Sequence, residues 1–326
     1  MVGFVLVPVL ILITSGTTRG VPSFPLHSSI AIAAGTNCTV GNSPQFPAYD
    51  PANRLIYVPN RLSSNVSVIN GTCGSVGSVA LPSGSRPWAA AYNPLNRDIY
   101  VTDASLSLVY VVHNLTLVHS LHKSAFSLGT SAIAWDPSAK LMLCATGWGN
   151  LVGISGTTIN GSTNNIGGAF SYSMAYDSRA NEILVVHPSA GNVTGVNASH
   201  PFSGPHVNVL IKHQPVVIAS DPATGYDYVT DSLRSNVYVI NGSGGFLGVI
   251  KVGKGPGGVA VDPAKQEVFV ANSGSHNISV IKGLVVVRTI ALGPSNYVWG
   301  FAYDSSTRLM YATGWIGTSY KVFIVT

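Results

Sequence analysis

Residues 86–103 read RPWAAAYNPLNRDIYVTD. The run Ala89-Ala90-Ala91-Tyr92 is small and apolar, Asn93-Pro94 is a turn pair, and Asp98 to Val101 is a second extended run. Asn and Asp accept hydrogen bonds from their own backbone two residues on, and Pro pre-sets φ at the next position, so the pair fixes a tight reversal between two strands. The same element recurs as Asp50-Pro51, Asp136-Pro137, Asp177-Ser178, Asp221-Pro222, Asp262-Pro263 and Asp304-Ser305, at intervals of 43, 43, 41, 44, 41 and 42 residues. Similar small apolar runs precede it at 132–135 and 258–261.

Outward from each marker the pattern continues. A second strand starts five residues later, as in Leu55-Ile56-Tyr57-Val58 and Leu309-Met310-Tyr311-Ala312. A third follows a polar turn (Asn65 to Ile69, Asn236 to Ile240), and a fourth ends near Gly or Pro (Phe246 to Val252). Four short strands every 42 residues or so predict an all-β chain, a seven-bladed β-propeller of four-stranded antiparallel blades. Blades stacked face to face bury both sides of their strands, which suits an apolar content of 46%. After Asp304 only second and third strands remain, Leu309–Thr313 and 320–326. The segment Ile30 to Val40 aligns with a fourth strand, so the N-terminal strand is expected to complete the last blade and remove an open edge. Strand placement is least regular in the third and fourth units, where Ala145-Thr146-Gly147-Trp148 and Val186-His187-Pro188 depart from the pattern.

The pieces Ile56-Tyr57-Val58-Pro59-Asn60, Tyr100-Val101-Thr102-Asp103, Tyr228-Val229-Thr230-Asp231 and Phe269-Val270-Ala271-Asn272, with the Ser-Asn-Val-x-Val-Ile-Asn-Gly runs at 64–71 and 235–242, resemble the YVTN-repeat seven-bladed propellers of microbial exported and archaeal surface-layer proteins. The resemblance runs from about residue 30 to the end. It implies a cell-surface or interaction module, and members with chemistry carry particular residues for it.

Composition bounds the rest. Gly is 35, Pro 19, and charged residues only 9%, against about 25% in ordinary soluble domains. An apolar, weakly charged chain excludes disorder. Three scattered cysteines exclude zinc ribbons and disulfide scaffolds. Phe4 to Ile13 is a ten-residue apolar run followed by small and polar residues, too short to span a bilayer and similar to the apolar stretch of a secretory signal. The expected organisation is a signal-like segment at 1–20, a linker at 21–29 and the propeller at 30–326, extracellular or at the cell surface, with no transmembrane anchor beyond the signal-like segment. Few charges of either sign also limit self-repulsion in strong acid, which suggests an acidic exterior.

Nine Asn-x-Ser/Thr sequons occur, at Asn37, Asn65, Asn70, Asn114, Asn160, Asn192, Asn197, Asn241 and Asn277, where chance placement would give about four. Asn70, Asn114, Asn160 and Asn241 fall where a hairpin turn is expected, so turn chemistry explains part of the excess and N-glycosylation the remainder.

In a propeller the turns after second strands and the starts of first strands share one face, around the channel mouth. Ten residues after each marker the column reads Asn60, Asp103, Thr146, His187, Asp231, Asn272, Gly314; five before, it reads Gln45, Trp88, Ser131, Tyr172, Val216, Gly257, Trp299. Six carboxylates are marker residues, and Asp98, Glu182, Asp227 and Glu267 start second strands on the opposite face. Only Asp103 and Asp231 remain at the mouth, three blades apart, too far for the roughly 5–10 Å of paired-carboxylate chemistry or for a calcium cage. His119 and His122 point to opposite sides of an outer strand and, with His113, read as solvated surface histidines, so no metal site and no cofactor is expected. An enzyme, lactonase- or lyase-like, would use His187 or His213 as base near Asp103 and Asp231.

The stronger signal is aromatic. Trp88, Tyr172 and Trp299 in the mouth column, with Gln45, Arg86 and Tyr297 nearby and Trp148 and Trp315 at matching later positions, suit sugar stacking or an aromatic-anchored protein contact. The 17 cationic residues form no run, which argues against nucleic acid. The expected function is a protein- or glycan-binding or structural module at the cell surface. A repeat scaffold in a surface array would instead expose apolar patches on the blade sides. Cys144 reads as a buried hydrophobe. Cys38 lies in the closing strand and Cys73 in a hairpin turn of the first blade, near opposite ends of their strands, which leaves their pairing open.

Overall fold

The computed structural model describes residues 37–325 except 123–125, 127, 128, 164, 205 and 243. The signal-like segment, the linker and residues 30–36 of the closing segment lie outside the described residues.

The chain folds into seven four-stranded antiparallel sheets. Blade 1 holds Ala48–Asp50, Leu55–Asn60, Asn65–Asn70 and Ser75–Ala80 in sequence order from the axis outward. Each first strand touches the first strands of both neighbouring blades, so the seven close into a ring. The third and fourth units fall into the same register despite their irregular sequence: Leu141–Thr146 and Glu182–His187 are both second strands.

All seven markers use one device. Asp50 Oδ1 accepts from the amides of Ala52 and Asn53, Asn93 Oδ1 from Leu95, and Asp304 Oδ1 from Ser306 and Thr307, with the same pattern at the other four. The chain then reverses through a residue of positive φ, such as Arg54 at 56° or Arg308 at 58°.

The Tyr-Val-Thr pieces of the second strands have distinct jobs. Tyr100 Oη donates to the Gly156 carbonyl, Tyr228 Oη to Gly283 and Tyr311 Oη to Gly71, each reaching the outer hairpin turn of the following blade. The Val lies in the core between sheets. The Thr ties down the first strand of its own blade. Thr102 Oγ1 accepts from the Ala89 amide, Thr230 Oγ1 from Val217 and Thr313 Oγ1 from Gly300. Those three residues sit in β-bulges, which shift register between Pro87 and Ala90, Pro215 and Ile218, and Val298 and Gly300. A bulge leaves backbone groups out of the ladder and re-aims neighbouring side chains. The Thr hydroxyl supplies the missing partner. Close stacking of first strands leaves no room for a side chain at Gly258, where a Cβ would lie 2.0 Å from the Trp299 carbonyl oxygen.

The last blade is completed as expected. Asn37–Thr39 pairs antiparallel with Ser319–Val325, Cys38 opposite Val322. The ring is also closed covalently. Cys38 and Cys73 form a disulfide, with Cα atoms 5.2 Å apart. The expectation that they occupy opposite ends of their strands is corrected: the blade 1 hairpin turn leans over the middle of the blade 7 outer strand, where Cys38 sits. Cys144 is free and buried, as read.

Asn70, Asn114 and Asn241 lie at or beside third-to-fourth-strand turns, but Asn160 does not. It falls inside Thr158–Thr163, because the chain has already reversed at Gly156, φ 56°. Asn37, Asn114, Asn160 and Asn197 are exposed, whereas the other five sequon asparagines are half-buried. Asn192 Nδ2, for one, donates to the Gly167 carbonyl.

Candidate functional site at the channel mouth

The first-strand bulges decide what reaches the axis. They turn Trp88, Val216, Gly257 and Trp299 toward the mouth, five residues before their markers. Blade 1 departs from this column. Its first strand is short, and Phe46, one residue after Gln45, takes the place. Phe46 bridges in parallel to Ala89, its amide donating to the Trp88 carbonyl and its carbonyl accepting from Ala90. Gln45 is buried, and its side chain donates to Ser43.

Three rings meet over the axis. Trp88 and Tyr172 are edge to face with centroids 5.3 Å apart, and Phe46 lies 5.9 Å from Trp88 and 6.3 Å from Tyr172. Such tilted contacts suit the ring quadrupoles. Arg61, first residue of the turn after the blade 1 second strand, lays its guanidinium 5.3 Å from the Trp88 ring centroid. Burial pushes the Tyr172 phenol up, and the Arg61 charge pulls it down.

Phe46 and Tyr172 form a wall between two cavities. One, of 140 Å³, lies against blades 2 to 4 and is lined by Ala90, Ser131 and Met174 among others. The larger, of 290 Å³, lies against blades 4 to 7, with Trp299, Val216, Gln214, Pro188, Ser232 and Ser273 in its lining. Trp299 is 45% exposed. The lining carries no charged side chain: it offers aromatic rings, proline, valine and glycine, with the Tyr172 phenol, two serine hydroxyls and one carboxamide among its polar side-chain groups.

Pro188, Ser232 and Ser273 stand eleven residues after their markers, as Arg61 does. The column ten residues after is something else. Asn60, Asp103, Thr146, His187, Asp231 and Asn272 are all buried, and Asp103, Thr146 and Asp231 cap the turns. Asp103 Oδ1 accepts from the amides of Ser105 and Leu106, and Oδ2 from the Arg86 amide and Tyr110 Oη. Asp231 Oδ1 accepts from Leu233 and Arg234. Asn60 and Asn272 donate to Ser67 and Ser279 on the adjacent strands. His187 is 0% exposed, its Nδ1 3.3 Å from Ser171 Oγ, and burial lowers its pKa to about 4. His213 is half-buried in blade 5 beside Tyr238, ring centroids 6.1 Å apart.

The remaining aromatic candidates form other groups. Tyr297, Trp315 and Tyr320 stack in series along blade 7, with centroids 6.0 and 5.7 Å apart, and His276 abuts Tyr297 at 4.8 Å. Trp148 stands exposed on the blade 3 turn, and Arg86 is exposed on blade 2. Among the described residues, no group of three His, Cys, Asp or Glu side chains is placed to hold a metal ion.

No protein-family model matches the chain, and no curated protein matches it. Solved structures do. A structure of streptogramin B lyase superposes with a TM-score of 0.74 at 11% identity, covering 89% of this chain and 96% of that one. Hydrazine synthase from Kuenenia stuttgartiensis superposes with a TM-score of 0.71 at 16% identity, covering 88% and 97%. At these identities the likeness is one of fold: the chain is a seven-bladed β-propeller.

Proposed function

We propose that this propeller is an exported cell-surface module of the YVTN-repeat type that binds a protein or glycan in its mouth without transforming it. The observation that carries the reading is the 290 Å³ cavity walled by Phe46, Tyr172 and Trp299, whose polar groups are neutral. Small-molecule sites are concave, mostly apolar and furnished with a few convergent polar groups. The lactonase- or lyase-like alternative is disfavoured because three of its four candidate groups, all but His213, are otherwise engaged. Asp103 and Asp231 hold turn amides, and His187 is closed from solvent with its proton affinity lowered.

Export is supported by the Cys38–Cys73 disulfide, since such bonds persist in oxidising compartments. Glycosylation then falls on the exposed Asn37, Asn114, Asn160 and Asn197. Intact mass and glycopeptide mapping of the native protein test export and modification together. A glycan array probed with the full chain, Trp299→Ala and Tyr172→Ala tests the mouth. Binding that both substitutions abolish supports the reading. Hydrolysis of a lactone or ester substrate that His213→Ala abolishes overturns it.

A further inference from the structure

We propose that the mouth takes an acidic glycan, a chain of pyranose rings bearing carboxylates, with Arg61 as its anion contact. The inference rests on the binding reading above and adds the charge of the ligand.

Arg61 has no counter-ion among the described residues. The ion pairs among the described residues are His113–Asp98, Lys265–Asp262 and Arg288–Glu267, all remote from the mouth turns. Its backbone amide donates to the Ser43 carbonyl, which anchors the turn, while its Nε is buried with no hydrogen-bond partner. Trp88 Nε1, under the guanidinium, is likewise buried and unpartnered. A guanidinium stacked on an indole keeps its planar fork of donors free for a carboxylate.

The whole rim agrees in sign. Arg61, Arg86, Lys212, Arg234, Lys251 and Lys254 sit in or beside the mouth-side turns, all exposed except the half-buried Arg61. Among the described residues the only carboxylates at this end, Asp103 and Asp231, are 0% exposed. The other ten belong to the markers or the starts of second strands, at the opposite end. A face with cations and no exposed carboxylate attracts anions.

The cavity selects the kind of anion. A pyranose offers an apolar face to Tyr172 and Trp299 and hydroxyl edges to Gln214, Ser232 and Ser273. Capture of an acidic peptide as an added strand needs an open sheet edge with room beside it, and the inner edges of the blades converge on the axis, where each first strand already touches the first strands of both neighbouring blades. Phosphate tracking needs a row of cations along a groove, and these are spread around a rim.

The test is calorimetric titration of the full chain at low salt with oligomers of galacturonate, alginate and hyaluronan, and with the methyl ester of each. The acid form of at least one is expected to bind, with its ester about tenfold weaker. Arg61→Gln should lose that tenfold toward the acid and nothing toward the ester, and Trp299→Ala should weaken both. Acid and ester binding equally overturns the charge inference and leaves the mouth reading standing. Binding of no oligomer also overturns the inference, while the array result decides the broader reading separately. Binding of poly-glutamate that depends on Arg61 but not on Trp299 overturns the glycan assignment.

Discussion

Cys38 and Cys73, 35 residues apart in sequence, bond the outer strand of the last blade to the outer hairpin turn of the first. The three-residue Asn37–Thr39 ladder supplies few hydrogen bonds on its own, and Tyr311 Oη bonds the same turn at Gly71, 2.6 Å away. The seam of the ring is therefore held by a ladder, a side-chain clamp and a covalent link.

Removing the link should be costly. Cys38→Ser with Cys73→Ser is expected to lose about 4 kcal/mol, the loop-closure contribution for a loop of this length. Denaturant midpoints of the double variant and the parent measure it. In the native parent, thiol alkylation should find no reactive cysteine, and under denaturant without reductant it should find one, Cys144. Its thiol is fully buried, which pushes its pKa up.

Asp227 sits at the interface of blades 4 and 5 with both oxygens unpartnered. Burial first, then the carboxylates of Asp177 and Glu182, raise its pKa from 3.8 to about 7, the Ser220 hydroxyl opposing. A raised acid pKa means that the native state holds a proton the unfolded chain has released. This contribution to stability is full below about pH 4 and is lost as pH rises to about 7. Asp227→Asn should gain roughly 2–4 kcal/mol at pH 7.5 and little at pH 3.5. Urea titrations at the two pH values check it.

His187 acts in the opposite sense. Its pKa is lowered from 6.5 to about 4, so unfolding takes up a proton between those values and stability falls as pH drops through the window. The two slopes oppose each other between about pH 4 and 6.5. His187→Gln is therefore expected to leave the protein more stable at pH 4.5 than at pH 7, with the Asp227 slope uncovered. A parent whose stability peaks at neutral pH and collapses below pH 3 would argue against the acidic exterior suggested by composition.

The two buried mouth-side aspartates should respond differently to amidation. Asp103 Oδ2 accepts two hydrogen bonds, so Asp103→Asn is expected to cost about 1–3 kcal/mol. Asp231 Oδ2 accepts none, and Asp231→Asn should cost less than about 1 kcal/mol. Equal losses would contradict the assignment of both as turn caps with unequal partners. Phe46→Ala, which removes the wall between the cavities, should cost about 2–4 kcal/mol in thermal unfolding.

The fold was legible because its punctuation is local. A marker Asp or Asn makes the same short-range hydrogen bonds in every blade, whatever the strands around it do, so seven phases could be counted from sequence. The site was legible only in part. Trp88, Val216, Gly257 and Trp299 share one position five residues before their markers because a bulge recurs at that same distance in blades 2, 5, 6 and 7. Phe46 was missed because the shortened first strand of blade 1 shifts the column by one residue. Arg61 was missed because a strand alternates: the tenth residue after the marker points into the sheet stack, and the eleventh opens the turn. Counting one position further would have found it. The disulfide depended on how a turn of one blade leans on the strand of another, which no spacing within a single repeat reports.

The separation of carboxylates and uncompensated cations to opposite ends makes the molecule an electric dipole along its axis. Near a polyanionic layer at low ionic strength, that moment would turn the propeller mouth-down before first touch. The alignment would fade beyond about 10 Å at 0.1 M salt. Landing pose, and not affinity alone, would then depend on the ionic strength of the medium.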